Sequence, residues 1–360
     1  MDESPSSTDR AAAALTARAL AVPKVLLHEH LDGGLRVATL FELMQAAGIA
    51  SPARDVPDLA SWFDANAHAG SLTKYLEGFA LTVAAMATPE AMSRVAFEAA
   101  QDAQRDGAVL AEFRIAPLLF EPHGVSGDVT VEALIAGLRR SALPSGLIVC
   151  AMRHLPPEET VRAVELAIRF VGRGVVGFDL AGPEHGHPPA GHDRALAMAR
   201  EAGLPLTLHA GEADVAERVV EAGRLGARRI GHGVRLADAF GDPTRAHLVD
   251  EVRAMGLHLE VCPTSNVHTG AAASVATHPI TALWRAGVSL SYHTDNRLMS
   301  CITQVGEAAA LLRYTTLTEA DLLAMALQAA RASFLDASAR AAGEATIRAY
   351  AGRQGLALVG

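Results

Sequence analysis

A few scattered positions of the chain could handle a metal and a proton: His28 and His30, His209 followed by Glu212, His232, and Asp295. His28 and His30 stand two apart in an apolar run, and side chains two apart on a strand share a face. A buried imidazole needs a partner for each ring nitrogen. Alone, the pair fits two satisfied core histidines as well as two metal ligands. His209 and Asp295, arriving from other strands, tip the reading to a metal. Three imidazoles and one carboxylate suit one Zn2+ per chain, and Fe2+ or Co2+ could occupy the same set.

Glu212 follows His209 by three residues, in the loop after a strand. There it can sit beside a metal without ligating it. A carboxyl in a dry pocket holds its proton to higher pH and can donate it; in the open it would be an ordinary solvated loop glutamate. His232 lies between Gly231 and Gly233, which let the backbone turn sharply and bring the ring close. The alternative for His232 is a structural histidine. Two rival motifs are absent: there is no P-C-x-x-C and no H-E-x-x-H. His185, His187 and His192 stand in a Pro/Gly-rich loop and read as surface histidines rather than a second site. Lys24 and Lys74 are the only lysines, which leaves almost no place for a Schiff-base, P-loop or metal-bridging lysine.

These residues need elements to bring them together. Eight short, apolar, β-leaning runs are predicted as strands: Val25–His30, Ala108–Ile115, Leu147–Arg153, Val175–Leu180, Pro205–His209, Arg229–Gly231, Leu257–Cys262 and Val288–His293. Helical stretches such as Thr88–Asp106, Glu158–Val171 and Asp193–Ala202 alternate with them. That alternation predicts an α/β fold, a (β/α)8 TIM barrel with a helical insertion (35–87) after strand 1 and with C-terminal helices. The doubly wound sheet is the runner-up, but its Gly-rich phosphate turn is missing after the first run, where His28-Glu29-His30 stands. Residues 1–21 read as an N-terminal extension or helix, and 22–360 as a single metal-dependent barrel domain. In such barrels chemistry gathers at the C-terminal ends of the strands. Those ends carry the histidines above, Asp179 with the turn Ala181-Gly182, and Thr294-Asp295-Asn296.

Composition narrows the function classes. The formal net charge of -9 argues against nucleic acid as a partner. The first 21 residues are interrupted by charges, and no later stretch is long and apolar enough to span a membrane. Three widely spaced cysteines, Cys150, Cys262 and Cys301, do not make a disulfide framework and fit a reducing, cytoplasmic setting. Nothing in the sequence fixes an oligomeric state.

Six segments together resemble adenosine deaminases of the amidohydrolase superfamily, in their bacterial branch: PKVLLHEHLDGGLR, GVVGFDLAG, LTLHAGE, RIGHGVRL, LEVCPTSNVHTG and SYHTDNRLMS, in family order from Pro23 to Ser300. The resemblance implies zinc on His28, His30, His209 and Asp295. It implies Glu212 as proton donor to the purine ring nitrogen beside the reacting carbon, and His232 as the group that orients and helps deprotonate the water. Asp295 would both ligate the metal and direct the attacking oxygen. His30 would line the substrate, Gly182 would offer its backbone to the purine, Asp32 would meet the ribose, and Asn296 the imidazole side of the purine. The implied reaction is hydrolytic deamination of adenosine or 2′-deoxyadenosine to inosine or deoxyinosine plus ammonia. The alternative is another 6-aminopurine compound: adenine, a modified nucleoside or aminodeoxyfutalosine. A relative that only binds nucleosides would lack Glu212 or a ligand, and this chain has both. The chain departs from the family pattern at His293, where asparagine is usual, at Asn296, and in a short stretch between Glu212 and Arg229. His293 is expected either to fill the barrel through a hydrogen bond or to adjust Asp295 and the purine pocket.

Overall fold

A computed structural model of the protein describes residues 7–68 and 72–358. Eight strands form one parallel sheet in sequence order: β1 (Lys24–Leu26), β2 (Ala108–Ile115), β3 (Ser145–Met152), β4 (Val175–Ala181), β5 (Leu206–Ala210), β6 (Ala227–His232), β7 (His258–Val261) and β8 (Ser289–Tyr292). Helices follow the strands, giving the (β/α)8 barrel. The strands are buried along nearly their whole length, as a parallel sheet covered on both faces requires.

β2 runs as the sequence predicts, but β1 stops at Leu26 instead of reaching His30. Past Leu26 its backbone leaves the regular ladder and works at the seam with β8. Leu27 N donates to the His293 ring at 3.1 Å. Asp295 N donates to His28 O at 3.0 Å, and His30 N to Asp295 O at 2.8 Å. On the other side Arg114 N donates to Glu29 O at 2.9 Å. Irregular backbone at the seam thus turns His28 and Asp295 toward one point.

α1 (Ser7–Ala21) packs on the helix Gln304–Tyr314, while α2 (Val37–Ala47), α3 (Val56–Ala67) and α4 (Leu72–Met86) make the insertion before α5 (Pro89–Arg105). Asp55 and Thr88 cap α3 and α5 by accepting from the N–H of Asp58 and Ala91. α4 rests on the turns Leu31–Gly33 and Pro117–His123, which follow β1 and β2. The insertion after β1 is helical, as the sequence predicts, and it covers the mouth on the β1–β2 side. After β8, the helix Glu319–Ala332 begins with a Thr318/Asp321 capping box and packs on β1, β7 and β8, outside the seam.

Candidate active site

Four side chains meet at the mouth. One ligand atom from each of His28, His30, His209 and Asp295 lies within 4.8 Å of the others. His28 Nε2 is 3.3 Å and His30 Nε2 3.6 Å from Asp295 Oδ1, and the Nε2 atoms of His30 and His209 are 3.3 Å apart. The fit to a divalent metal rests on donors, not on packing. His28 Nε2 is buried without a protein hydrogen-bond partner, a costly state unless an ion takes its lone pair.

The layer beneath fixes which nitrogen is free. His28 Nδ1 faces Glu260 Oε2 at 2.9 Å, and His209 Nδ1 faces Asp179 Oδ2 at 2.9 Å. A carboxylate on Nδ1 holds the proton there and leaves Nε2 as a ligand. Ser265 donates to Asp295 Oδ2 at 2.6 Å, which leaves Oδ1 for the ion. Arg114 reaches Asp179 at 2.8 Å and Glu260 at 2.5 Å, and Arg229 reaches Glu260 and Glu112 at 2.6 Å each. All of these groups are buried. Burial alone would raise the Asp179 and Glu260 carboxyls; for Asp179 the charges of His209 and Arg114, and for Glu260 those of Arg114 and Arg229, hold them below their ordinary range.

Above the cluster stand Glu212 and His232. His232 has φ 63° and Asp295 φ 59°, the left-handed region that non-glycine residues seldom adopt. Such strain at two site residues aims side chains that regular strands would point elsewhere. Gly231 serves space rather than flexibility: a Cβ there would stand 3.0 Å from His28 Cε1 and 3.1 Å from His209 Cγ. Burial, followed by the Asp295 charge, pushes the Glu212 carboxyl up to about 7. A carboxyl so placed keeps its proton near neutral pH. Its Oε2 is 3.5 Å from His232 Nε2.

The structure brings the remaining predicted residues to the same mouth. Asp32 and Asn296 are buried, each with an Oδ1 that has no protein partner. Burial pushes the Asp32 carboxyl up to about 6. Gly182 has φ 95°, and a Cβ there would crowd His154 and the Met152 side chain at 3.2 Å. His293 bonds Leu27 N and Ser291 Oγ and is fully buried, so it fills and closes the barrel; no bond reaches Asp295. Of the loop histidines, His192 is buried and joins Thr160 to the Arg153 carbonyl, a structural part rather than a surface group.

Several residues escaped the sequence reading. Glu184 accepts from four consecutive backbone N–H groups, those of Gly211 at 2.5 Å, Glu212 at 3.0 Å, Ala213 at 2.9 Å and Asp214 at 3.1 Å. It grips the loop that carries Glu212. Asn266 and Thr269 donate to Glu212 Oε1 at 3.2 and 2.8 Å. Asn266 and Thr269 were marked only by membership of the LEVCPTSNVHTG segment, and Glu184, two residues past GVVGFDLAG, carried no mark.

A family model described as adenosine deaminase matches residues 23–349. The adenosine deaminase of Mycobacterium tuberculosis is 43% identical over 329 residues, which span 87% of this chain and 90% of that one. Among solved structures, the adenine deaminase of Arthrobacter aurescens has a TM-score of 0.82 at 22% identity, covering 92% of this chain and 99% of that one. Arabidopsis ADAL complexed with IMP has a TM-score of 0.80 at 24% identity, covering 93% of this chain and 99% of that one. These two share the barrel.

Proposed function

The chain belongs to the adenosine deaminase family, and on that footing we propose that it deaminates adenosine and 2′-deoxyadenosine by hydrolysis, releasing ammonia. One Zn2+ per chain would be held by His28, His30, His209 and Asp295. When bound, such an ion lowers the pKa of a water toward about 7 and so provides the nucleophile at neutral pH. The unit that does this is the barrel of residues 22–360, with 1–21 as an extension. The unpaired cysteines support a reducing, cytoplasmic setting.

The chain's own residues do the rest. Glu212 gives its proton to the ring nitrogen beside the amine-bearing carbon as water adds, and ammonia then leaves. A half-buried carboxyl pushed up to about 7, with its Oε2 3.5 Å from His232 Nε2 beside the histidine cluster, is the observation that carries the reading. His232 holds the attacking oxygen in line. Asp295, with Oδ2 tied to Ser265, turns its other oxygen to the metal and the nucleophile. Gly182 lends its backbone to the purine edge, Asn296 meets its imidazole side, and His30 lines the pocket.

Asp32 favours a nucleoside over a nucleotide. Its buried carboxyl, short of a partner for Oδ1, would accept a ribose hydroxyl and repel a phosphate. Adenine, modified nucleosides and aminodeoxyfutalosine are the other 6-aminopurines to compare. Purified protein is incubated with this panel while ammonia release and the ultraviolet shift are followed. Adenosine and deoxyadenosine should lead in kcat/KM. No ammonia from either, with zinc bound, would remove the proposal.

A further inference from the structure

His278 lies just before the short helix Ile280–Arg285, outside the layer that touches metal or substrate. It is buried, and so is Asn266 on the helix Pro263–His268. The hydrogen bonds through them have a fixed direction, because one end is a backbone amide that can only donate. Ile280 N donates to His278 Nδ1 at 3.1 Å. His278 is neutral in its buried site, so its proton sits on Nε2, which faces Asn266 Oδ1 at 3.2 Å. Asn266 Oδ1 must then accept, which orients the amide. Its Nδ2 donates one hydrogen to His232 Nδ1 at 3.1 Å and the other to Glu212 Oε1 at 3.2 Å.

Two consequences follow from bond direction alone. His232 Nδ1 accepts, so the neutral ring carries its hydrogen on Nε2, the nitrogen turned to Glu212 Oε2 and the cluster. Glu212 Oε1 accepts from both Asn266 and Thr269, so a proton on this carboxyl belongs on Oε2. We propose that His278 is a positioning residue which, through Asn266, sets the His232 ring as an Nε2–H donor and places the Glu212 proton on Oε2. In the resting protein His232 therefore offers a hydrogen to the attacking oxygen and does not take one from it.

The inference rests on the deaminase reading for its use, but it is tested without turnover. With 15N-labelled histidine, the long-range couplings of the His232 ring are read in the zinc-loaded protein, assigned against a His232→Asn spectrum. The expected form is Nε2–H; an Nδ1–H ring overturns the proposal whatever the substrate proves to be. Next, His278→Leu removes the donor to Asn266. The His232 ring should become a mixture of tautomers, and kcat should fall by about 10–100-fold, the usual loss for a supporting partner, with KM and zinc content little changed. His278→Gln, whose amide can still donate, should recover most of the rate and the single tautomer. Equal impairment of both variants, or an unchanged His232 ring in His278→Leu, would assign His278 to packing alone. Should neither variant fold, the wild-type spectrum still decides.

Discussion

Beneath the histidine cluster the partners are charged; above it they are neutral. Below, Asp179 and Glu260 grip His209 and His28 and are themselves paired with Arg114 and Arg229. Above, Glu212 is held by an asparagine amide and a threonine hydroxyl. The difference follows from what each layer must do. A metal-binding imidazole needs its proton pinned to Nδ1, and an ionised carboxylate does that. An acid must keep a proton near neutral pH, and a nearby cation would strip it. No arginine or lysine side chain bonds the Glu212 carboxyl among the described residues; Arg235 reaches only its backbone carbonyl.

The contrast breaks most visibly at Glu212. Glu212→Gln should lower kcat by about 10²–10⁴-fold, the usual worth of a general acid, with zinc content intact. The wild-type rate should also fall as pH rises through about 7, where the half-buried carboxyl loses its proton. The residual rate of the variant should lack that alkaline limb. Loss of zinc from Glu212→Gln would mean that the upper layer also serves the metal.

The lower layer should fail the opposite way. Asp179→Asn or Glu260→Gln should weaken zinc by about 10–100-fold, and added zinc should restore much of kcat. Each removes one member of a buried charged set, so a stability loss of about 3–5 kcal/mol in denaturant titration is expected. Tight zinc with a low kcat would contradict the division.

Glu184 tests the boundary, since it is a charged group that works on the upper layer through backbone. Glu184→Gln removes the charge that the four amides of the Glu212 loop point at and turns one of the two accepting oxygens into a donor. Hydrogen bonds to a charged group are worth about 1.5–3 kcal/mol, so kcat should fall by about tenfold or more with zinc retained. A change confined to KM would show that the loop serves binding only.

The smallest effect should come from His293→Asn. The ring touches Leu27 N and Ser291, not the pocket. Stability should drop by about 0.5–1.5 kcal/mol, the net worth of one hydrogen bond, and kcat/KM should shift by one common factor across the purine panel. A changed substrate order would return His293 to the specificity residues.

The barrel was legible because each strand is a short apolar run between Ala-rich helices, and β2 needed no adjustment. β1 was overextended: His28 and His30 read as strand residues, yet the backbone there serves the seam. The four clustered residues were legible because ligand types gathered at strand ends. The charged barrel interior was not. Arg114 finds Asp179 and Glu260 across 65 and 146 residues of chain, and nothing local records which strands become neighbours in side-chain space. Glu184 and His278 were hidden for another reason. Each acts through backbone amides or through another side chain, so residue type and spacing carry no mark of the role.

The seam where the last strand meets the first has a consequence for assembly. His28 and His30 lie on one side of it and Asp295 on the other, and backbone bonds of these same residues close it. An ion held as proposed is thus a staple across the closing joint. During synthesis the three imidazoles emerge well before the carboxylate, so a nascent chain offers an incomplete grip until its final strand docks. Tight ion uptake should coincide with closure, and removing the ion from finished protein should loosen that joint before any other strand pair.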